Sequence, residues 1–107
     1  MSGLRIAMVM VPPLLADLIR HGLDSRIGGA TVIEFSDLQH AYTRLHEIAA
    51  DIVIVGPLAA AQATLIQRLL PRAQVLTISP DLSRLVDLDT GESAAFTLDE
   101  LADRLRR

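Results

Sequence analysis

The chain has 107 residues, which suffice for one domain spanning residues 1–107 and are too few for two. Its net charge of −3 gives no electrostatic reason to expect nucleic-acid binding. The absence of cysteine excludes disulfides, thiolate metal sites and a cysteine nucleophile, and it fits a reducing, cytoplasmic compartment. Only 3% of the residues are aromatic, so aliphatic side chains must fill the core.

The first predicted unit is a strand followed by a helix. Residues 4–11 are apolar apart from Arg5, and neither this run nor any other reaches the about 20 residues of a membrane span, so we expect no membrane insertion. Pro12-Pro13 end the strand and open a helix, because proline is tolerated in a first helical turn. Gly28-Gly29 predict the turn that closes this unit. The apolar stripe of the helix comprises Leu14, Leu15, Leu18, Ile19 and Leu23.

The next segments predict a second helix between two strands. Residues 31–35 form a short strand of mixed polarity, as expected near a sheet edge. Ser36 and Gln39 have the spacing of a helix capping box, with serine as the cap. Residues 52–55 are four consecutive β-branched side chains, and such an unbroken apolar run is typical of a strand buried on both faces.

A third helix and a fourth strand continue the alternation. The helix is predicted over residues 58–70, where Pro71 ends it, and the strand over residues 74–79. Short apolar strands that alternate with helical patterns indicate right-handed crossovers and a parallel sheet with helices on both faces.

The alternation breaks after Ser79. Only residues 80–83 separate this strand from the next strand-like run at 84–88, whereas a parallel crossover needs about a dozen residues. The expected fourth helix is therefore missing. We predict that residues 84–88 turn back antiparallel and pair with residues 93–96 in a hairpin near 84–96.

A last amphipathic helix closes the chain. Thr97 and Glu100 have capping-box spacing before it. Arg104, Arg106 and Arg107 lie near its C-terminal end, among acidic residues. This pattern is typical of a solvated helix face rather than of a surface that binds nucleic acid directly.

Three segments together resemble the receiver domain of bacterial response regulators. They are Arg5–Leu15, which is similar to its first strand and following loop, Ala50–Pro57, similar to its third strand, and Val75–Ser79, similar to its fourth. The resemblance implies a three-layer α/β/α, flavodoxin-like fold with a mostly parallel sheet in the order 2-1-3-4-5. Receivers usually signal through the surface around the fourth helix, which this chain must have rebuilt.

The resemblance also locates a phosphorylation site and shows that it is degenerate. Receivers transfer a phosphoryl group to an aspartate after the third strand, beside two acids that bind Mg²⁺. The two acidic positions are Met10 and Val11 here, the acceptor position is Gly56, and only the hydroxyl position is kept, as Ser79. The chain contains no lysine to supply the family's cation. We therefore expect a pseudo-receiver that is not an enzyme and uses no cofactor or metal.

Two polar features have structural explanations. Ser79-Pro80-Asp81 could hold a nucleophile, but proline at the second position and Asp near the tip favour a turn. His40 and His46 are six residues apart on one predicted helix, so they face different sides and are not expected to share a metal ion.

The function that follows is a phosphorylation-independent module for protein–protein interaction or dimerisation in bacterial signalling or transcription regulation. We expect the partner to be another protein or a second copy of the chain. An exposed edge strand in the rebuilt segment 80–96, carrying Leu85, Val86 and Leu88, is the predicted contact. The candidate interaction residues are Arg84, Leu85, Val86, Leu88 and Phe96.

Two alternatives stay open from the sequence. The first is a small-molecule or nucleotide-binding flavodoxin-like domain of a larger enzyme, with a polar pocket formed by residues 10–13, 56–59 and 79–81. The second is a regulator of the anti-sigma-factor-antagonist type, which the predicted parallel crossovers disfavour.

Overall fold

The computed structural model describes residues 4–26 and 29–106, and these form one mixed sheet of six strands with helices packed against it. The strands are β1 (Arg5–Val9), β2 (Thr31–Phe35), β3 (Ile52–Val55), β4 (Gln74–Ile78), β5 (Arg84–Asp87) and β6 (Ser93–Ala95). The helices are α1 (Pro13–Arg26), α2 (Leu38–Ile48), a 3-10 helix (Pro57–Gln62) that runs into α3 (Ala63–Leu69), and α4 (Leu98–Arg106).

The strand order is β2-β1-β3-β4-β5-β6. The first four strands pair in parallel, with Ala7 opposite Val53 and Val53 opposite Val75. β5 pairs antiparallel with β4, and β6 pairs antiparallel with β5. These pairings confirm the predicted α/β class, the order of the first five strands and the hairpin after the break.

Side chains of the central strands alternate between two apolar clusters. Ile6 and Met8 of β1 belong to a cluster that also contains residues of α1 and α4. Ala7 and Val9 belong to a second cluster with residues of α2, the 3-10 helix and α3. All of β3 is buried, as its unbroken β-branched run predicts. The core is thus largely aliphatic on both sides of the sheet, with Phe35 as a buried aromatic residue in the second cluster.

The buried face of α1 differs from the predicted stripe. Ile19 and Leu23 are buried as predicted, but Leu14 and Leu18 are 82% and 60% exposed, and Ala16 and Gly22 are buried beside the stripe. Close helix packing explains the glycine at position 22, because a Cβ atom there would lie 2.6 Å from the side chain of Leu98 in α4. Small residues rather than the largest ones therefore face the core at these positions.

Two helix starts differ from their sequence signals. Asp37, not Ser36, caps α2, and its side chain accepts a hydrogen bond from the backbone N–H of Gln39 at 2.8 Å. The predicted third helix begins as a 3-10 helix, which leaves Leu58 83% exposed. The predicted cap of α4 is confirmed, because Thr97 Oγ1 accepts from the backbone N–H of Glu100 at 3.1 Å.

The predicted turn at Gly28-Gly29 falls only in part within the structure. Gly29 has a φ of 81°, a left-handed conformation that favours glycine. Gly28 and Arg107 lie outside the described residues.

The prediction that residues 84–88 expose an edge strand is wrong. β5 is paired on both sides, and the outer strand is β6. Leu85 is fully buried, while Leu88 and Phe96 are half-buried against the two apolar clusters. Val86 is half-buried as well, and Arg84 is exposed. The short strand β6 pairs with β5 and so takes the outer position that was predicted for β5.

Across the described residues, every helix falls short of the length and apolar character needed to cross a bilayer.

Replacing Leu85 should test the corrected position of β5. Leu85→Ala removes a fully buried side chain and should cost about 3 kcal/mol of unfolding free energy. Leu58→Ala, at an exposed site, should change it by less than about 0.5 kcal/mol. Urea denaturation followed by circular dichroism measures both. Equal losses for the two variants would contradict the burial of β5.

Candidate functional site

The carboxyl ends of β1, β3 and β4 lie side by side at one edge of the sheet, where open α/β sheets usually bind their ligands. Met10 and Val11 follow β1 there, Gly56 follows β3, and Ser79 follows β4. We call this end of the sheet, at the carboxyl ends of its parallel strands, the degenerate edge. The structure brings Met10, Val11 and Gly56 into direct contact, while Ser79 belongs to the next loop along the sheet.

Gly56 is buried against the backbone of the neighbouring loop. Its N–H donates a hydrogen bond of 2.8 Å to the carbonyl oxygen of Val9. A Cβ atom on residue 56 would lie 2.1 Å from the carbonyl oxygen of Met10 and 3.0 Å from the Cα atom of Val11. These atoms belong to the backbone, so no rotamer change can make room. Position 56 therefore has no space for an aspartate, or for any other side chain.

Met10 and Val11 contribute nothing polar to this edge. Met10 has a φ of 56°, and its N–H donates to the carbonyl oxygen of Phe35 at 2.8 Å. Its side chain packs against the second apolar cluster, and that of Val11 packs against the first. Mg²⁺ needs hard oxygen ligands, which thioether and aliphatic side chains cannot supply.

Ser79 closes the loop between β4 and β5, which confirms the turn interpretation of Ser79-Pro80-Asp81. The carbonyl oxygen of Ser79 accepts from the N–H of Leu82 at 2.9 Å. Its hydroxyl donates to Asp81 Oδ1 at 2.7 Å and accepts from the N–H of Arg84 at 3.0 Å. The Ser79 hydroxyl is thus held by its own loop.

Asp81, the carboxylate of that loop, accepts three hydrogen bonds within it. The hydroxyls of Ser79 and Ser83 both donate to Oδ1 at 2.7 Å, and the Ser83 N–H donates at 3.1 Å. Hydrogen bonds to the charged form lower the pKa of Asp81 from 3.8 to about 2, with the bond from Ser79 as the largest cause. This carboxylate stays ionised at neutral pH and holds the turn.

Room for a ligand is small at the degenerate edge. A cavity of about 70 Å³ lies there, with Val11, Pro13 and Phe35 in its wall. Pockets for small molecules usually measure roughly 300–1,000 Å³. Within residues 4–26 and 29–106, no group of three or more acidic, histidine or cysteine side chains is placed to bind a metal ion.

Exposed leucines surround the degenerate edge. Leu14 follows Pro13, Leu58 follows Pro57, and Leu82 lies in the loop after β4. Leu82 also lines a groove of about 210 Å³ together with Leu18 of α1 and Phe96 after β6. Exposed leucines therefore form apolar patches at this end, beside the polar turn of Asp81.

Sequence reasoning missed a charged cluster at the opposite end of the sheet, where β4 begins and β5 ends. Arg104, predicted on a solvated helix face, is buried beside Asp87, Glu92 and Glu100. The spacing of Glu100 and Arg104, four residues apart on one helix, was the local signal. The contributions of Asp87 and Glu92 depend on how the hairpin packs beside α4, which no local pattern reveals.

Searches of family models, of curated proteins and of solved structures found no match to this chain.

Adding a methyl group at residue 56 should test the close approach. Gly56→Ala places a Cβ atom against the Met10 carbonyl and should lower the unfolding free energy by about 3 kcal/mol. Gly91→Ala is the control, because its Cβ atom would meet open space and only its φ of 75° opposes alanine, at a cost of about 1–2 kcal/mol. Urea denaturation compares them. A Gly56→Ala variant as stable as the native chain would refute the contact.

Removing the Ser79 hydroxyl should raise the pKa of Asp81 towards 3.8, because its largest stabilising hydrogen bond is lost. The lowered pKa in the folded chain means that Asp81 adds stability above pH 3.8, and that this is lost as the pH falls through about 2. NMR titration of the Asp81 carboxyl carbon in Ser79→Ala measures the change. Ser36→Ala, an exposed serine after β2, is the control and should leave the titration unchanged. An unshifted pKa in Ser79→Ala would contradict the role of this hydroxyl.

Proposed function

We propose that this chain is a pseudo-receiver: a flavodoxin-like, three-layer domain without phosphotransfer chemistry that acts by binding protein. Its setting is bacterial signalling or transcription regulation in the cytoplasm. The observation that carries this proposal is the contact between Gly56 and the Met10 carbonyl, which removes the space for an acceptor side chain.

The arrangement of the elements supports the receiver-like part of the proposal. The first five strands have the order 2-1-3-4-5, and the two apolar clusters join helices to opposite sides of the central strands. Receivers resemble this chain up to β4. The antiparallel β5 and β6 then replace the last helix–strand unit, and this replacement alters the surface through which receivers usually signal.

The chemistry of the degenerate edge supports a role without catalysis. Phosphoryl transfer depends on an acceptor, a Mg²⁺ ion and positive charge placed around the transferred group. Gly56 has no side chain to accept it, and Met10 and Val11 have no oxygen ligands. The chain also contains no lysine.

A leucine patch supports the protein-binding part. We define the α1 patch as the exposed leucines Leu14, Leu18 and Leu82. Phe96, one of the candidate interaction residues predicted from the sequence, lines the same groove as Leu18. Exposed leucines on adjoining elements are favourable to bury against another protein. In a two-fold contact each copy would bury its own patch, so the contact would contain every one of these leucines from both copies. A small patch thereby yields twice the apolar contact, which favours a second copy as the partner.

The nucleotide-binding alternative has less support at this edge. The cavity of about 70 Å³ beside Val11 is well below the size of a small-molecule pocket. The turn after β4 directs the Ser79 hydroxyl to Asp81, so the three loops supply few free polar groups for a ligand.

Sedimentation velocity over a range of concentrations should test the proposal. We expect reversible dimerisation that Leu18→Ser weakens about tenfold, because a Leu18 side chain of each copy leaves the contact. Leu65→Ser is the matched control, since Leu65 is 46% exposed on α3, away from the α1 patch, and should not affect the equilibrium. Acetyl phosphate with Mg²⁺ should change neither the dimerisation nor the intact mass.

Each part of this experiment can fail separately. A strict monomer at the highest concentration would refute self-association, and equal effects of the two serine variants would refute the α1 patch. A phosphate adduct on an aspartate in the mass spectrum would refute phosphorylation independence and the alignment behind it.

A further inference from the structure

Arg104 is a charged side chain buried at the edge of the sheet opposite the degenerate edge. Only 7% of its side chain is exposed. Its Nε lies 3.3 Å from Glu100 Oε1, its Nη2 3.6 Å from Glu92 Oε2, and its Nη1 3.9 Å from Asp87 Oδ2. Three carboxylates thus balance its charge at distances mostly longer than a hydrogen bond.

The guanidinium of Arg104 has unused hydrogen-bonding capacity. It carries five N–H donors in a fixed planar arrangement. Among the residues that the structure describes, Arg104 Nε is buried without a hydrogen-bond partner, and its charged contacts are the ion pairs given above. Buried polar groups are normally hydrogen-bonded, and unpaired ones cost free energy. Nε is shielded behind Glu100, so an acceptor that enters from the adjoining cavity would be stabilised by Nη1 and Nη2, whose carboxylate partners lie 3.9 and 3.6 Å away.

The cavity beside Arg104 measures about 380 Å³. Its wall combines donors and acceptors: Arg72 and Arg104 supply the positive charges, and Asp87, Asp89 and Glu92 supply carboxylates. Part of this wall is rigidly placed. Gln74 Nε2 donates to Asp87 Oδ2 at 2.8 Å, and the N–H of Asp89 donates to Asp87 Oδ1 at 2.9 Å.

The charges of this wall select the kind of ligand. A simple anion would meet three carboxylates, which exceed the two arginines. A simple cation would lie beside Arg104 and leave its donors unmet. A molecule that carries both charges satisfies both kinds of group, with its carboxylate on the arginines and its ammonium on Asp89 and Glu92. It also adds no net charge to the site.

A second cavity adjoins the charged one and is largely apolar. It measures about 430 Å³, and Leu69, Leu70 and Ala49 contribute to its wall. The two cavities share the segment 71–73, so a ligand held at the charged wall can extend an apolar group across it. Both cavities fall in the range of roughly 300–1,000 Å³ that is typical of small-molecule sites.

We propose that this paired cavity binds a small zwitterion of the α-amino-acid class with an apolar side chain. The site lies at the amino end of β4, away from Met10 and Gly56, so it does not depend on the proposed protein-binding function. Binding of an amino acid would let the domain respond to a metabolite although it is not phosphorylated.

Isothermal titration calorimetry with three matched probes should test the ligand class. L-leucine carries both charges, 3-methylbutan-1-amine lacks the carboxylate, and 4-methylpentanoate lacks the ammonium group. We expect saturable binding of leucine, and binding at least about tenfold weaker for each of the other two, because each loses charge-assisted hydrogen bonds. The absence of binding by leucine at millimolar concentration would overturn the proposal. Binding of either single-charge probe as tightly as leucine would overturn the zwitterion assignment.

Substitutions in the wall should locate the binding site. Arg104 itself is too deeply buried to replace without risk to the fold, so the test uses Arg72→Ala and Glu92→Gln, both at exposed positions. Each should weaken leucine binding about tenfold. Arg68→Ala, on the exposed side of α3 and outside both walls, is the control and should leave binding unchanged. Equal affinities of Arg72→Ala and Arg68→Ala would place the ligand elsewhere and overturn the site.

Discussion

The close approach of two backbone segments, after β1 and after β3, is the constraint on which the degenerate edge depends. The Met10 carbonyl occupies the space that a side chain on residue 56 would need, and the hydrogen bond from Gly56 to Val9 holds the two loops together. Because the obstacle is main chain, an acidic side chain on residue 56 would not fit into this arrangement. Met10 and Val11 belong to the same arrangement, since their side chains fill the apolar clusters below.

The hairpin of β5 and β6 is the second decisive feature of the fold. A tight turn, which Asp81 and its two serine donors hold, joins β4 to β5, whereas a helix follows each of the first three strands. The antiparallel return places Leu85 in the core and lets α4 pack across the sheet onto Gly22 of α1. The same return carries Asp87 and Glu92 to Arg104. The antiparallel hairpin thus determines both the surface after β4 and the charged cluster around Arg104.

The two edges of the sheet have opposite characters. Proline, leucine and glycine dominate the edge where flavodoxin-like domains usually keep their chemistry, whereas buried charge and larger cavities lie at the other edge. The proposed amino-acid site and the proposed protein contact therefore lie at different ends of the sheet. The two ends are joined directly by β4 and β5, which run from one end of the sheet to the other.

Sequence alone determined the element order, the break after Ser79 and the absence of acidic side chains at residues 10, 11 and 56, because these follow from hydrophobic period, connection length and residue identity. It also predicted the turn at Ser79 and the cap at Thr97, which depend on neighbours in the chain. Tertiary structure decided which leucines of α1 are exposed, that β6 rather than β5 is the edge, and that Arg104 is buried. The physical reason is that burial depends on which elements meet. A small Gly22 lets Leu98 approach, and a hairpin carries its carboxylates beside a helix that follows it in the chain.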